Sequence, residues 1–189
     1  LAAFTTIGIT VILTRTLTLS DYATHKQALT IFAMIAPVLT LGLPKALYFF
    51  LPGETERPRG ILLENLTLLL CASSVFAGII LFGGGDFFAD HFGNPQLKAM
   101  MPVVAVYGFC MLPIAATSPT LMARDRVGHL VGFQLTTQAV LITAVACATY
   151  WYATPMATLS AYAIWSFAAL IVAVVFMFHS TQGGHGSAP

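Results

Sequence analysis

Six long apolar runs alternate with short polar breaks along this chain of 189 residues. They cover residues 1–14, 27–51, 61–82, 97–123, 130–153 and 156–178, and a Gly-rich tail or linker, residues 180–189, follows them. A helix rises about 1.5 Å per residue, so roughly 20 residues cross the ~30 Å hydrocarbon core of a bilayer. Runs two to six meet that length. The first is cut short: the chain opens Leu-Ala-Ala, with no Met and no basic leader, and reads as the end of a truncated span. The strict alternation of a membrane barrel is absent. The pattern therefore predicts an all-α membrane protein in which residues 1–179 form a single six-transmembrane-helix bundle.

The breaks agree with the spans. Pro52 to Gly60 is a polar turn. Gly83-Gly84-Gly85-Asp86 opens a longer connection that closes at Asn94-Pro95. Its middle, Phe87 to Phe92, is amphipathic and is expected to lie in the membrane interface. Arg124-Asp125-Arg126 joins spans four and five, and Ala153-Thr154-Pro155 joins five and six. Span two opens at Leu19-Ser20-Asp21-Tyr22, with Ser20 or Asp21 as its N-cap. Ala144-x-x-x-Ala148 in span five and Ala169-x-x-x-Ala173 in span six favour close helix approach. Span two holds Pro37 and Pro44; span four holds Pro102, Pro113 and Pro119. Interior prolines remove a backbone donor and bend a helix, so these two spans are expected to be bent and to border a cavity.

Composition narrows the class. Hydrophobic residues make up 58% of the chain and charged ones 8%, against roughly a quarter charged in a soluble domain. That excludes a water-soluble globule and makes the lipid bilayer the first partner. The net charge is +1 with the basic residues scattered, so nucleic acid is not a partner. Cys71, Cys110 and Cys147 each lie in an apolar stretch and read as small packing residues. Asn65-Leu66-Thr67 fits a glycosylation sequon but lies inside a span. His179 and His185 lack metal-site spacing. No phosphate-binding loop, no nucleophile elbow and no paired nucleophile and base occurs, so nothing supports an enzyme, and no cofactor is called for. Loops two-three and four-five hold Arg57, Arg59, Arg124 and Arg126; the other side holds Lys26 and Lys98, with Arg15 at the end of span one. The excess of basic residues places the first group, and both chain ends, on the cytoplasmic side.

Few residues can carry chemistry. Lys45 lies seven residues before Pro52, roughly 10 Å inside the apparent end of span two. An intramembrane charge is costly and marks a functional candidate, unless its stem snorkels to the interface. Glu64 lies one turn inside span three, across a short turn from Lys45, and either pairs with it or faces a cavity. Arg15 ends span one, where its planar fork suits a phosphate. Gln134 and Gln138, one turn apart on span five with Thr137 and Thr143 nearby, form a polar stripe suited to interhelical hydrogen bonds or to sugar hydroxyls.

Three segments carry a resemblance. Leu13-Thr14-Arg15 through Asp21-Tyr22-Ala23, then Leu39-Thr40-Leu41-Gly42-Leu43-Pro44-Lys45-Ala46-Leu47-Tyr48-Phe49-Phe50-Leu51-Pro52, then Met122-Ala123-Arg124-Asp125-Arg126-Val127-Gly128 followed by Phe133-Gln134, together resemble bacterial polysaccharide and oligosaccharide flippases. These belong to the multidrug, oligosaccharidyl-lipid and polysaccharide exporter superfamily. The resemblance implies one lobe, the N-terminal one, of a two-lobe exporter in the bacterial cytoplasmic membrane, with a C-terminal lobe as partner. It implies a polyprenyl-pyrophosphate-linked oligosaccharide as substrate, moved between leaflets by alternating access. Arg15 and Lys45 are the matching candidates for the lipid phosphates. Two readings compete with this one. A cation-coupled drug or small-molecule exporter would rely on Glu64, and a membrane scaffold subunit would transport nothing.

Overall fold

The computed structural model describes residues 2–52 and 57–180. Among these the secondary structure is all helix. The elements are α1 (Ala2–Thr16), α2 (Leu19–Thr40), α3 (Leu43–Phe50), α4 (Pro58–Ile79), a π turn (Ile80–Gly84), α5 (Gly85–His91), α6 (Pro95–Ile114), α7 (Thr117–Ala123), α8 (Val127–Tyr152) and α9 (Pro155–Ser180). Four stretches are long and apolar enough to cross a membrane: Pro58–His91, Pro95–Ala123, Val127–Tyr152 and Pro155–Ser180. The bent pair α2 and α3 makes a fifth if counted as one span. Helix α1 is apolar but only 15 residues long. These apolar helices make the chain a multi-pass membrane protein. Phe4, Phe49, Phe82 and Ile164 stand exposed on its outer surface, which is stable only in a solvent as apolar as they are. At the end of α8, Tyr150, Trp151 and Tyr152 are likewise exposed, the arrangement of an interfacial aromatic belt.

The helices begin earlier than the apolar runs. Helix α2 starts at Leu19 rather than near residue 27, because its first turns are polar but well capped. The cap is Thr18, not Ser20 or Asp21. Its Oγ1 accepts from the Asp21 N–H at 3.2 Å and donates to Asp21 Oδ2 at 2.7 Å. Thr18 stands three residues before the acid, which is the spacing of a capping box; Ser20 and Asp21 fall inside the first turn. Helix α6 starts the same way, with Asn94 Oδ1 accepting from the Gln96 N–H at 3.2 Å and Pro95 in the first position.

Glycines and prolines divide the breaks between them. Helices α2 and α3 meet at 45°. The bend sits at Leu41 and Gly42, both left-handed with φ of 45° and 78°. A left-handed Leu costs about 1–2 kcal/mol; Gly42 takes that conformation freely. Pro37 lies within α2 and Pro44 in the first turn of α3. The connection expected from Gly83 to Asn94 is instead mostly helical. The chain breaks at Phe82 (φ −100°, ψ 45°) and Gly83 (φ 122°), a backbone that suits glycine alone, and then resumes as α5. This short helix packs on α6. Gly85 and Ala89 are buried, Phe87 is exposed as an interfacial residue would be, and Asp86 pairs with Lys98. Between α6 and α7, Pro113 precedes a tight turn in which Ala116 N–H reaches only back to Pro113 O, at 3.1 Å.

Helix α6 is central, packed between α4 and α9, while α9 also packs on α8 and α1 lies against α8. Among the described residues, Phe76 of α4 is fully buried and sits over Gly108 of α6. A Cβ at Gly108 would fall 2.1 Å from the Phe76 ring. Phe32 of α2 meets Phe76 edge-on at 5.6 Å and Tyr107 at 5.1 Å. Because lipid tails are as apolar as these side chains, such fitting of surfaces, rather than removal of apolar area from water, holds the helices together. Ala169 and Ala173 are buried as expected. Cys110 is buried, whereas Cys71 and Cys147 face outward.

Candidate functional site

Polar groups gather at two places inside the bundle. The first is the end where α2, α6 and α9 begin. Asn94 Nδ2 donates to Thr24 Oγ1 and to Gln27 Oε1, both at 2.8 Å. Beside them His25 is fully buried, with its Nδ1 at 3.1 Å from Thr158 Oγ1. Thr158 Oγ1 also lies 2.8 Å from Pro155 O, and the other ring nitrogen of His25, Nε2, has no hydrogen-bond partner. Tyr162 packs on the ring at 5.4 Å. This cluster fastens three helices to one another.

The second is a notch of about 230 Å³ between the end of α6, the start of α7, and the facing sides of α8 and α9. The broken junction of α6 and α7 makes it, because the turn after Pro113 pulls Thr117 and Ser118 aside. Gln134 and Gln138 line the opposite wall, since residues four apart share a helix face. Thr117 is buried, and its Oγ1 has no hydrogen-bond partner. Trp165 closes the floor, its Nε1 donating to Thr137 O at 2.7 Å. Thr137 Oγ1 turns back to Phe133 O at 2.7 Å, and Thr143 stands outside the notch, spending its hydroxyl on Ala139 O at 2.9 Å. The notch thus offers two amides and the Ser118 hydroxyl in an otherwise apolar wall, with the Thr117 hydroxyl enclosed beside it. That donor-and-acceptor set fits hydroxyl or amide groups of a neutral ligand. It offers no cation to an anion.

No family model, curated protein or solved structure matches this chain.

The sequence-predicted site residues do not form one site. Gln134 and Gln138 come together in the notch. Arg15 is exposed in the last turn of α1, at the bundle end shared by the starts of α2, α6 and α9. Lys45 is exposed in the first turn of α3, toward the other end. Glu64 is exposed on α4 and makes no ion pair with Lys45. The contact between α3 and α4 is made one residue later. Asn65 Nδ2 donates to Leu43 O at 2.7 Å and ties down the start of α3. Asn65 is buried, so the sequon it opens is closed to modification. Sequence reasoning missed Thr117 and His25, which carry no charge to draw the eye. Thr117 was signalled only by its place after Pro113.

Proposed function

We propose that this chain is a six-pass lobe of a lipid-linked oligosaccharide flippase of the bacterial cytoplasmic membrane. In this reading α1 and the bent pair α2 and α3 complete six passes, and a second lobe faces the notch. The observation that carries it is the notch itself: Gln134 and Gln138, with Ser118 opposite, within a bundle whose outer surface is apolar. Each unpaired polar group costs several kcal/mol in hydrocarbon. A chain that keeps such groups in a cavity rather than replacing them with Leu holds them for a polar ligand. Sugar hydroxyls both donate and accept, as do amides and hydroxyls, so the chemistry matches. The breaks at Leu41–Gly42 and after Pro113 are discontinuities of the kind on which alternating access relies.

The lipid phosphates would meet cations elsewhere, since Arg15 and Lys45 stand far from the notch, near the two bundle ends. They fit a phosphate at the start and the finish of a passage rather than during it. The test is made in cells, on the whole gene product, with surface polysaccharide measured at equal membrane protein levels. Gln138→Leu combined with Gln134→Leu is expected to lower surface polysaccharide at least tenfold, and Lys45→Ala by a smaller factor. Unchanged polysaccharide in the double variant overturns the reading.

A further inference from the structure

A larger hollow lies on the other side of the contact between α8 and α9. It is a groove of about 610 Å³, open along its length. Gly132, Thr136 and Val140 form one wall, and Trp165, Val172 and Phe176 the other. It extends along α8 from Gly128 to Val140, twelve residues or about 18 Å, which is more than half the ~30 Å depth of a hydrocarbon core. A Cβ added at Gly128 or Gly132 would meet nothing within 4 Å, so no protein atom of this bundle fills the space in front of either glycine. The deep end is apolar. At the shallow end exposed His129 lines the groove, and Arg126, the residue before the first turn of α8, lies two residues before Gly128. Asp125 is the acid of that turn.

We propose that the groove holds one acyl chain of an anionic phospholipid, with the lipid phosphate at Arg126 and His129. Charge and depth select this occupant. A chain entering beside the turn at 124–126 runs inward along α8, as acyl chains run from a membrane surface. Arg126 stands at the end where a headgroup would lie, with the His129 ring as a hydrogen-bonding group beside it, and the walls beyond His129 carry no charge. An Arg fork binds a phosphate oxygen pair, and clustered basic groups next to a span favour anionic lipid over zwitterionic. A packed transmembrane helix in the same place would bury Arg126 and His129 against hydrocarbon.

Trp165, at the deep end, reports occupancy directly. The chain has two tryptophans, so Trp151→Phe leaves Trp165 as the sole emitter. The protein is placed in phosphatidylcholine nanodiscs and given phosphatidylglycerol brominated at mid-chain. Saturable quenching is expected, at least fivefold tighter than with equally brominated phosphatidylcholine. Arg126→Gln with His129→Gln is expected to abolish that preference while leaving the emission maximum of Trp165 unchanged. Gly132→Leu fills the groove and is expected to remove saturable quenching by either lipid. Equal, non-saturating quenching by both lipids overturns the proposal, as does quenching unaffected by Gly132→Leu. An unquenched Trp165 with disulfide cross-linking of Gly132→Cys between two copies overturns it in favour of a second copy. The measurement reads binding without transport, so it stands apart from the flippase reading.

Discussion

Two helix seams in this bundle are built around glycine, and they do opposite things with it. At the seam of α4 and α6 the space beside Gly108 is taken by the Phe76 ring, so that a single added carbon would lie 2.1 Å from it. At the seam of α8 and α9, Gly128 and Gly132 look onto empty space. A glycine in a membrane helix is therefore not by itself evidence of close packing. What decides is whether a large side chain on the neighbouring helix is aimed at it. The closed seam holds the bundle together. The open seam makes room for something outside it.

That contrast can be broken in four ways, each read by reversible unfolding in mixed detergent. Phe76→Ala is expected to cost about 3–5 kcal/mol, the range for emptying a buried aromatic site; a cost below about 1 kcal/mol would mean that the closed seam is not the main fastening. Gly108→Ala is expected to cost about 1–3 kcal/mol through overpacking, and pairing it with Phe76→Leu should recover part of that loss, because the two residues touch. Trp165→Phe removes the bond to Thr137 O and is expected to cost about 0.6 kcal/mol, near the mean for polar contacts between membrane helices. Gly132→Ala is expected to leave stability unchanged or raise it by up to about 1 kcal/mol, since alanine is the better helix former and nothing stands in its way. A loss at Gly132 as large as that at Gly108 would erase the distinction between the seams.

The helices themselves were legible from the runs of apolar residues, which mark length and solvent. Their ends were less so, because Thr18 and Asn94 cap polar turns that carry no apolar signal. The segment after Gly83 reads in the sequence as an amphipathic connection; it is mostly helical because one break at Phe82–Gly83 suffices and α5 resumes at once. For the site, the eye went to charge. Lys45 and Glu64 both stand exposed on the bundle surface, outside the notch and apart from each other. Asn65 and Thr117, enclosed and neutral, hold the polar atoms that matter to packing and to the notch. Helices that are apolar on every side give no phase from which to tell Glu64 from Asn65. Gln134 and Gln138 were found because their spacing alone fixes a shared face.

The 45° bend between α2 and α3 also sets how tall the protein stands. Continued straight, the eight residues of α3 would add about 12 Å to the reach of α2; inclined, they add about 8 Å. The angle is held by the neighbours of α3: Asn65 of α4 ties down its start, and Tyr48 donates to the Met122 sulfur of α7. The bent pair therefore keeps one shortened height, while α8 and α9, each 26 residues long, match bilayers of different thickness by tilting as rods.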